Sequence, residues 1–234
     1  MDLRNKVALI TGGTVGIGRA IASTLAEAGA RVAITGRDEK RLSETARDLG
    51  VVAIRADVSN EDDVKRTYRE VLAKFGDLDI LVNNAGFGVF KPLAEFDRAS
   101  FDAVFATNVT GAMLMGREAA KHFIAKNTGN IVNVASTAAL KGAPQGSAYY
   151  ASKFALRGMS ECWRAELRRH NIRVFLVNPS EVLTNFAATA GFAQKENETK
   201  LHGDDIAYVV KAMLEMNDRG FAPEFSVFAT NPVD

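Results

Sequence analysis

The sequence has one cysteine, one tryptophan, five prolines and three histidines in 234 residues. A lone cysteine, Cys162, excludes an intrachain disulfide framework. It sits in the helical pattern MSECWRAEL and reads as a packed thiol rather than a nucleophile. His122, His170 and His202 are scattered, with no spacing that suits metal ligands, so no metal is expected. No apolar run approaches the stretch of about 20 residues that a membrane-spanning helix needs. Charge of one sign is also missing: 29 Lys and Arg oppose 28 Asp and Glu, for a formal net charge of +1. Neither nucleic acid nor an anionic membrane is therefore an expected partner. The opening MDLRNKVALITGG has an acidic second residue and a short apolar run. It reads as a first strand rather than a signal peptide, and a cytoplasmic protein is expected. Repeats and low-complexity linkers are missing too, which predicts one domain over residues 1–234.

What is there is ordinary globular material, 47 % hydrophobic and 24 % charged. Apolar runs alternate with helical patterns along the chain. KVALIT, RVAIT, VVAIRAD, LDILVNNAG, GNIVNVAS, IRVFLVNP and PEFSVFA read as strands. Helices are predicted over 18–30, 38–50, 60–76, 101–126 and 148–170, with a last one in DDIAYVVKAMLEM. Asp38 is a candidate N-cap and Gly50 a stop. Strands apolar on both faces, alternating with such helices, imply a mainly parallel seven-stranded sheet covered on both sides. That is an α/β, doubly wound, Rossmann-type fold. Residues 185–203 are irregular and follow the sixth strand, where such folds keep ligands. They read equally as a short substrate lid or as a variable surface loop.

ITGGTVGIG follows the first strand and opens a helix, with glycines at 12, 13, 16 and 18. Its Gly-x-x-x-Gly-x-Gly spacing differs from Gly-x-Gly-x-x-Gly, yet meets the same demand. Backbone must approach a pyrophosphate closely, and the helix start offers free N–H groups. At the end of the second strand, a carboxylate would accept the ribose hydroxyl of NAD. Thr35-Gly36-Arg37 stands there instead, with Lys40 and Arg41 nearby. A guanidinium suits a 2′-phosphate, which favours NADP(H) and leaves NAD(H) as the alternative; Asp38 directly after it weighs the other way.

At the other end, Ser136 closes the fifth strand, and Tyr149, Tyr150 and Lys153 open the next helix. Spacings of three and four both share a helix face, so either tyrosine can meet the lysine. Such a set lacks the histidine and carboxylate of a hydrolase triad and suits proton transfer to a carbonyl oxygen. A tyrosine's ordinary pKa of about 10 is too high for that work near neutrality. A desolvated ammonium together with an oxidised nicotinamide ring would bring it down.

In this combination and order, TGGTVGIG, ADV, NNAG, TNVTG, Ser136, Tyr149-x-x-x-Lys153 and NPSEVLT resemble the short-chain dehydrogenase/reductase superfamily, over almost the whole chain. Within it the chain looks most like the 3-oxoacyl-[acyl-carrier-protein] reductase-like members. The resemblance implies hydride transfer between a nicotinamide cofactor and a ketone or secondary alcohol. It makes Asn108, Ser136, Tyr149 and Lys153 catalytic, and leaves Tyr150 to packing or a subunit contact. It implies phosphate-side cofactor contacts at Gly12, Thr14, Gly16, Ile17 and Gly18, and adenosine-side contacts at Arg37, Asp57 and Val58. Asn84, Ala85 and Gly86 would adjoin the cofactor after the fourth strand. Tyr149, Lys153, Pro179, Val182 and Thr184 would lie at the nicotinamide end. A dimer or tetramer, through the 101–126 and 148–170 helices, is implied as well.

Three departures stand out. Val15 occupies a place where many NADP-preferring relatives carry a basic residue, Ser180 stands where Pro-Gly is usual with Glu181 adding a carboxylate there, and the lid and C-terminus are short. The expected pocket segments, Phe87–Phe90, Leu140–Gln145 and Phe186–Phe192, are largely apolar. They suit an aliphatic or aromatic ketone, or a 3-oxoacyl thioester carried on a protein or CoA, better than a phosphosugar. The runner-up substrates are simple secondary alcohols, diketones and a pterin side-chain carbonyl. A dinucleotide sensor without chemistry is the alternative of another class.

Overall fold

A computed structural model of the chain describes residues 1–184, 186 and 199–230. Seven strands form one parallel sheet in the order β3-β2-β1-β4-β5-β6-β7. They are β1 (Val7–Ile10), β2 (Arg31–Gly36), β3 (Val52–Arg55), β4 (Ile80–Asn83), β5 (Gly129–Val134), β6 (Ile172–Pro179) and β7 (Glu224–Val227). The expected doubly wound architecture is observed.

Two cores follow from the side-chain alternation of a strand. Ala8 and Ile10 of β1 face a core built with α1 (Gly16–Glu27), α2 (Glu39–Leu49) and α7 (Gly203–Glu215). Val7 and Leu9 face the opposite one, built with α3 (Glu61–Phe75), α5 (Ala112–Lys126) and α6 (Ser147–Leu167). All four side chains are fully buried, which is why the strand reads as an unbroken apolar run.

The caps predicted from sequence are in place. Asp38 accepts a bond from the Arg41 backbone N–H at 3.0 Å, and Gly50 ends α2 with φ +65°. One helix differs from expectation. The segment predicted as one helix from Phe101 to Lys126 starts earlier, as α4 (Arg98–Phe105) capped by Asp97. It then passes through a π-wound turn, Ala106–Gly111, before α5. Gly111 permits this, because a Cβ there would stand 2.7 Å from Cγ2 of Val58. The wide turn carries Asn108 inward, where it is buried.

Of the expected lid, residues 185 and 187–198 lie outside the described residues. The flanking chain is anchored: Val182 bridges Leu201 in parallel fashion, and the Leu183 N–H donates to the Leu201 carbonyl at 2.7 Å. Among the described residues, no helix is long and apolar enough to cross a membrane.

Candidate active site

The glycine loop between β1 and α1 is shaped for a close approach. Gly12 and Gly16 hold φ of +63° and +55°, where a side chain is strained. A Cβ on Gly13 would stand 2.6 Å from Ile34, and one on Gly18 would run into Asn84 Nδ2 and the Gly12 carbonyl. Val15 caps α1 with no side-chain hydrogen bond, so the first-turn N–H groups carry no side-chain cap. Bare N–H groups at the positive end of a helix dipole, behind a loop without side chains, fit a pyrophosphate.

Asn84, just after β4, holds this loop open by donating to the carbonyls of Thr11 and Gly12 at 3.0 and 3.1 Å. Thr11, which sequence reasoning missed, is the partner on the other side. Its hydroxyl accepts from the N–H groups of Asn84 and Ala85, each at 3.0 Å, and donates to the Val82 carbonyl. The only trace in the sequence is a threonine directly before the glycines. Across the loop, Thr184 packs on Gly16, since a Cβ on that glycine would stand 3.1 Å from Thr184. Ile17 packs on the core behind, and the Thr14 carbonyl accepts from Thr45 at 3.2 Å.

At the end of β2, the Arg37 side chain is 70 % exposed, and its nearest carboxylate, Asp57, lies 3.9 Å away. Asp57 spends one oxygen on Ser59, accepting from its N–H and hydroxyl at 2.9 and 2.7 Å. Asp38 is committed to capping α2. One oxygen of its carboxylate therefore serves the helix, and Arg37 reaches into solvent beside it. Val58 packs against Gly111 and joins this edge to the π turn.

The other end gathers Asn108, Ser136, Tyr149 and Lys153. Asn108 is a clamp: its Oδ1 accepts from the Phe87 N–H at 3.0 Å, while Nδ2 donates to the Phe87 carbonyl at 2.9 Å and to Ser152 Oγ at 3.0 Å. Ser152, also missed from sequence, donates in turn to the Tyr149 carbonyl at 2.7 Å. That bond back along a helix gives Asn108 a hold on the turn that bears the tyrosine. Gly86 keeps the corner open, because a Cβ there would meet Asn108 Oδ1 at 3.0 Å and Lys153 Nζ at 3.7 Å.

Ser136 accepts from the Ala138 N–H at 3.1 Å. Its hydroxyl is near enough to favour the ionised form of the Tyr149 phenol, and Lys153 Nζ lies 5.7 Å from the Tyr149 ring centre. Tyr150 instead packs its ring on Gly146, which has no Cβ to obstruct it. The spacing argument allowed either tyrosine; the contacts with Ser136 and Lys153 both fall on Tyr149.

Burial sets the electrostatics. It pushes the Tyr149 phenol up to about 12, with the Ser136 hydroxyl pulling the other way. It pulls the Lys153 ammonium down to about 8. Lys153 donates to the Val134 carbonyl at 3.0 Å. In the protein alone, then, the phenol stands higher than a free tyrosine, because burial outweighs the lowering expected from the Lys153 ammonium. Pro179 ends β6, and Glu181 pairs with Lys200 at 2.6 Å, so the extra carboxylate noted in the sequence is answered.

Known proteins share this fold. The family model for short chain dehydrogenase matches residues 6–195. The sex determination protein tasselseed-2 of Zea mays is 41 % identical over 190 residues, covering 78 % of this chain and 56 % of that protein. This chain therefore spans little more than half of that relative's length. A 3-ketoacyl-(acyl-carrier-protein) reductase from Brucella melitensis, solved with NADH, superposes with a TM-score of 0.90 at 32 % identity, covering 96 % of this chain and 97 % of that one. A metagenomic short-chain oxidoreductase solved with NADP superposes with a TM-score of 0.86 at 34 % identity, covering 99 % of this chain and 100 % of that one.

Proposed function

The chain belongs to the short-chain dehydrogenase family of oxidoreductases, and on that premise we propose that it interconverts a ketone and a secondary alcohol, with NADP(H) in preference to NAD(H). The carrying observation is that the Tyr149 phenol stands beside both the Ser136 hydroxyl and the buried Lys153. When bound in the glycine cradle, a nicotinamide cofactor supplies or accepts the hydride. The chain's own residues handle the oxygen. In reduction, Tyr149 gives its hydroxyl proton to the substrate oxygen, and Ser136 donates a hydrogen bond to that oxygen as charge grows on it. Lys153 places a cation behind the phenolate that is left, and Asn108 holds the turn in register through Ser152. Arg37, exposed and paired only loosely with Asp57 at 3.9 Å, is the residue proposed to favour the phosphorylated cofactor.

A 3-oxoacyl thioester is the second reading of the substrate, favoured by the likeness to the Brucella reductase. A homo-oligomer is proposed too, because Phe101 and Phe154, on α4 and α6, stay half-exposed on the helices that the resemblance assigns to subunit contact. Initial rates with NADPH and NADH across acetoacetyl thioesters, diketones and simple ketones test the proposal. Turnover faster with NADPH is expected. Tight dinucleotide binding with no oxidation by any carbonyl would identify a sensor and sink the enzyme reading.

A further inference from the structure

Three aromatic rings pack around the phenol of Tyr149. Phe186 lies 5.2 Å from it between ring centres, Phe90 5.5 Å and Tyr150 6.0 Å. Phe90 and Phe186 also meet each other edge-on, at 6.5 Å. The rings come from separate segments, one after β4, one at the head of α6 and one just beyond Thr184. All four are only partly buried, unlike the side chains of the two cores.

The backbone gives way to make this corner. A Cβ on Gly88 would stand 2.6 Å from Phe90 Cε2 and 3.0 Å from Phe186 Cζ. A Cβ on Gly146 would run into the Tyr150 ring and stand 3.3 Å from Phe90 Cε1. Neither glycine holds a positive φ, so what each supplies is space. The Phe90 segment is also fixed at both ends. Asn108 clamps both polar groups of the Phe87 backbone, and the Lys91 N–H donates to the Gln145 carbonyl at 2.8 Å. The nearby charges are spent on one another, Lys91 on Asp97 and Lys200 on Glu181.

Building on the proposal that Tyr149 protonates a ketone, we infer that this corner selects ketones bearing an aromatic or alicyclic ring beside the carbonyl, with Phe90 as the specificity-determining residue. A carbonyl oxygen that reaches the phenol must lay its substituents along these rings. A ring does so in stacked or edge contact with little rotor freedom to lose. A linear chain freezes several rotors for similar contact. An anionic substituent lying along these rings would shed its water against apolar surface.

Acetophenone and 2-octanone, matched in carbon number, are the test pair, with NADPH as reductant. The wild type is expected to favour acetophenone in kcat/KM by at least about ten-fold, or about 1.4 kcal/mol. Phe90→Ala and Phe90→Leu should each bring that ratio to about one. The NADPH Kd, read by calorimetry, should stay at the wild-type value in both and shows that the fold is intact. A ratio near one in the wild type, or an undiminished ratio in both variants, overturns the ring selection while ketone reduction stands. No oxidation of NADPH by any ketone overturns both.

Discussion

At the amino-terminal edge of the sheet, Asp79 accepts from the Val7 N–H at 2.9 Å and from Lys126 at 2.9 Å, with Lys6 at 3.4 Å. Burial raises the neighbouring Asp77, but bonds from Lys126 and His122 outweigh it and bring that carboxyl down to about 2. Arg173, buried in β6, donates to Asn130 Oδ1 at 2.8 Å and to the Leu214 and Met216 carbonyls that end α7. At the carboxyl edge, a few residues further along the same strands, the pattern reverses. Lys153 is buried against a lone carbonyl, Val134. Thr35 Oγ1, Asn83 Oδ1 and Asn178 Oδ1 are, among the described residues, the buried side-chain polar atoms without a hydrogen-bond partner. All three sit at or near the carboxyl ends of their strands, β2, β4 and β6. One edge satisfies its polar groups and stabilises the fold. The other leaves polar groups unpaired, at a cost in stability.

The largest effect should come from the phenol. Tyr149→Phe is expected to lower kcat by about 10³-fold, the scale of a lost general acid, with the NADPH Kd unchanged. Tyr150→Phe should retain most of the activity, because its ring packs on Gly146 rather than beside Lys153. Reversed results in a steady-state assay would move the chemistry to the other tyrosine and undo the site described above.

A pair of substitutions then sets the edges against each other. Asp79→Ala strips Lys6, Lys126 and the Val7 N–H of their shared partner, and should cost about 3 kcal/mol in urea denaturation with little change in kcat. Lys153→Met should abolish most turnover yet stabilise the protein. Its ammonium titrates at about 8 in the fold against 10.5 ordinarily. A depressed lysine binds fewer protons folded than unfolded between those values, so wild-type stability rises with pH across that window. The gain from Lys153→Met is therefore full below pH 8, on the order of 3 kcal/mol less the lost bond to Val134, and fades as pH approaches 10.5. Denaturation curves at about pH 7 and about pH 10 read the difference. Tyr149 adds the opposite slope above its ordinary 10.0, so the scan stops there. A pH-independent difference would mean that Lys153 is not desolvated, and the contrast between the edges would fail.

The architecture was legible because the two-sided burial of a parallel strand leaves an unbroken apolar run such as VALI, and because Asp38, Gly50 and Gly76 mark helix ends by their chemistry. The π turn was not. Over six residues, a wider winding shifts the apolar pattern too little to be seen, and only the contact of Gly111 with Val58 reveals the constraint. The site divided in the same way. The glycine loop could be read from spacing, since its function lies in missing side chains. The choice between Tyr149 and Tyr150 could not, because both spacings reach Lys153 and the deciding contacts come from Ser136 and the folded helix. The raised phenol depends on burial among rings from distant segments, which no local pattern encodes.

The smallest expected effect concerns Arg37 and tests the open edge at its adenosine end. Arg173 and Arg37 show what the two edges do with a guanidinium. Arg173 is buried and bonded along its length to Asn130 and two helix-end carbonyls. Arg37 is 70 % exposed, with its nearest carboxylate oxygen 3.9 Å away, beyond a hydrogen bond. A 2′-phosphate could take that fork in place of the distant Asp57, whereas a ribose hydroxyl gains little from a cation. Arg37→Ala should therefore raise the KM for NADPH by about ten-fold, the loss of one charge-assisted contact, and leave the KM for NADH nearly unchanged. Parallel initial-rate series with the two cofactors measure this. Equal effects on both would reduce Arg37 to a solvated surface charge. The preference for NADP(H) would then have no carrier among the residues that end β2.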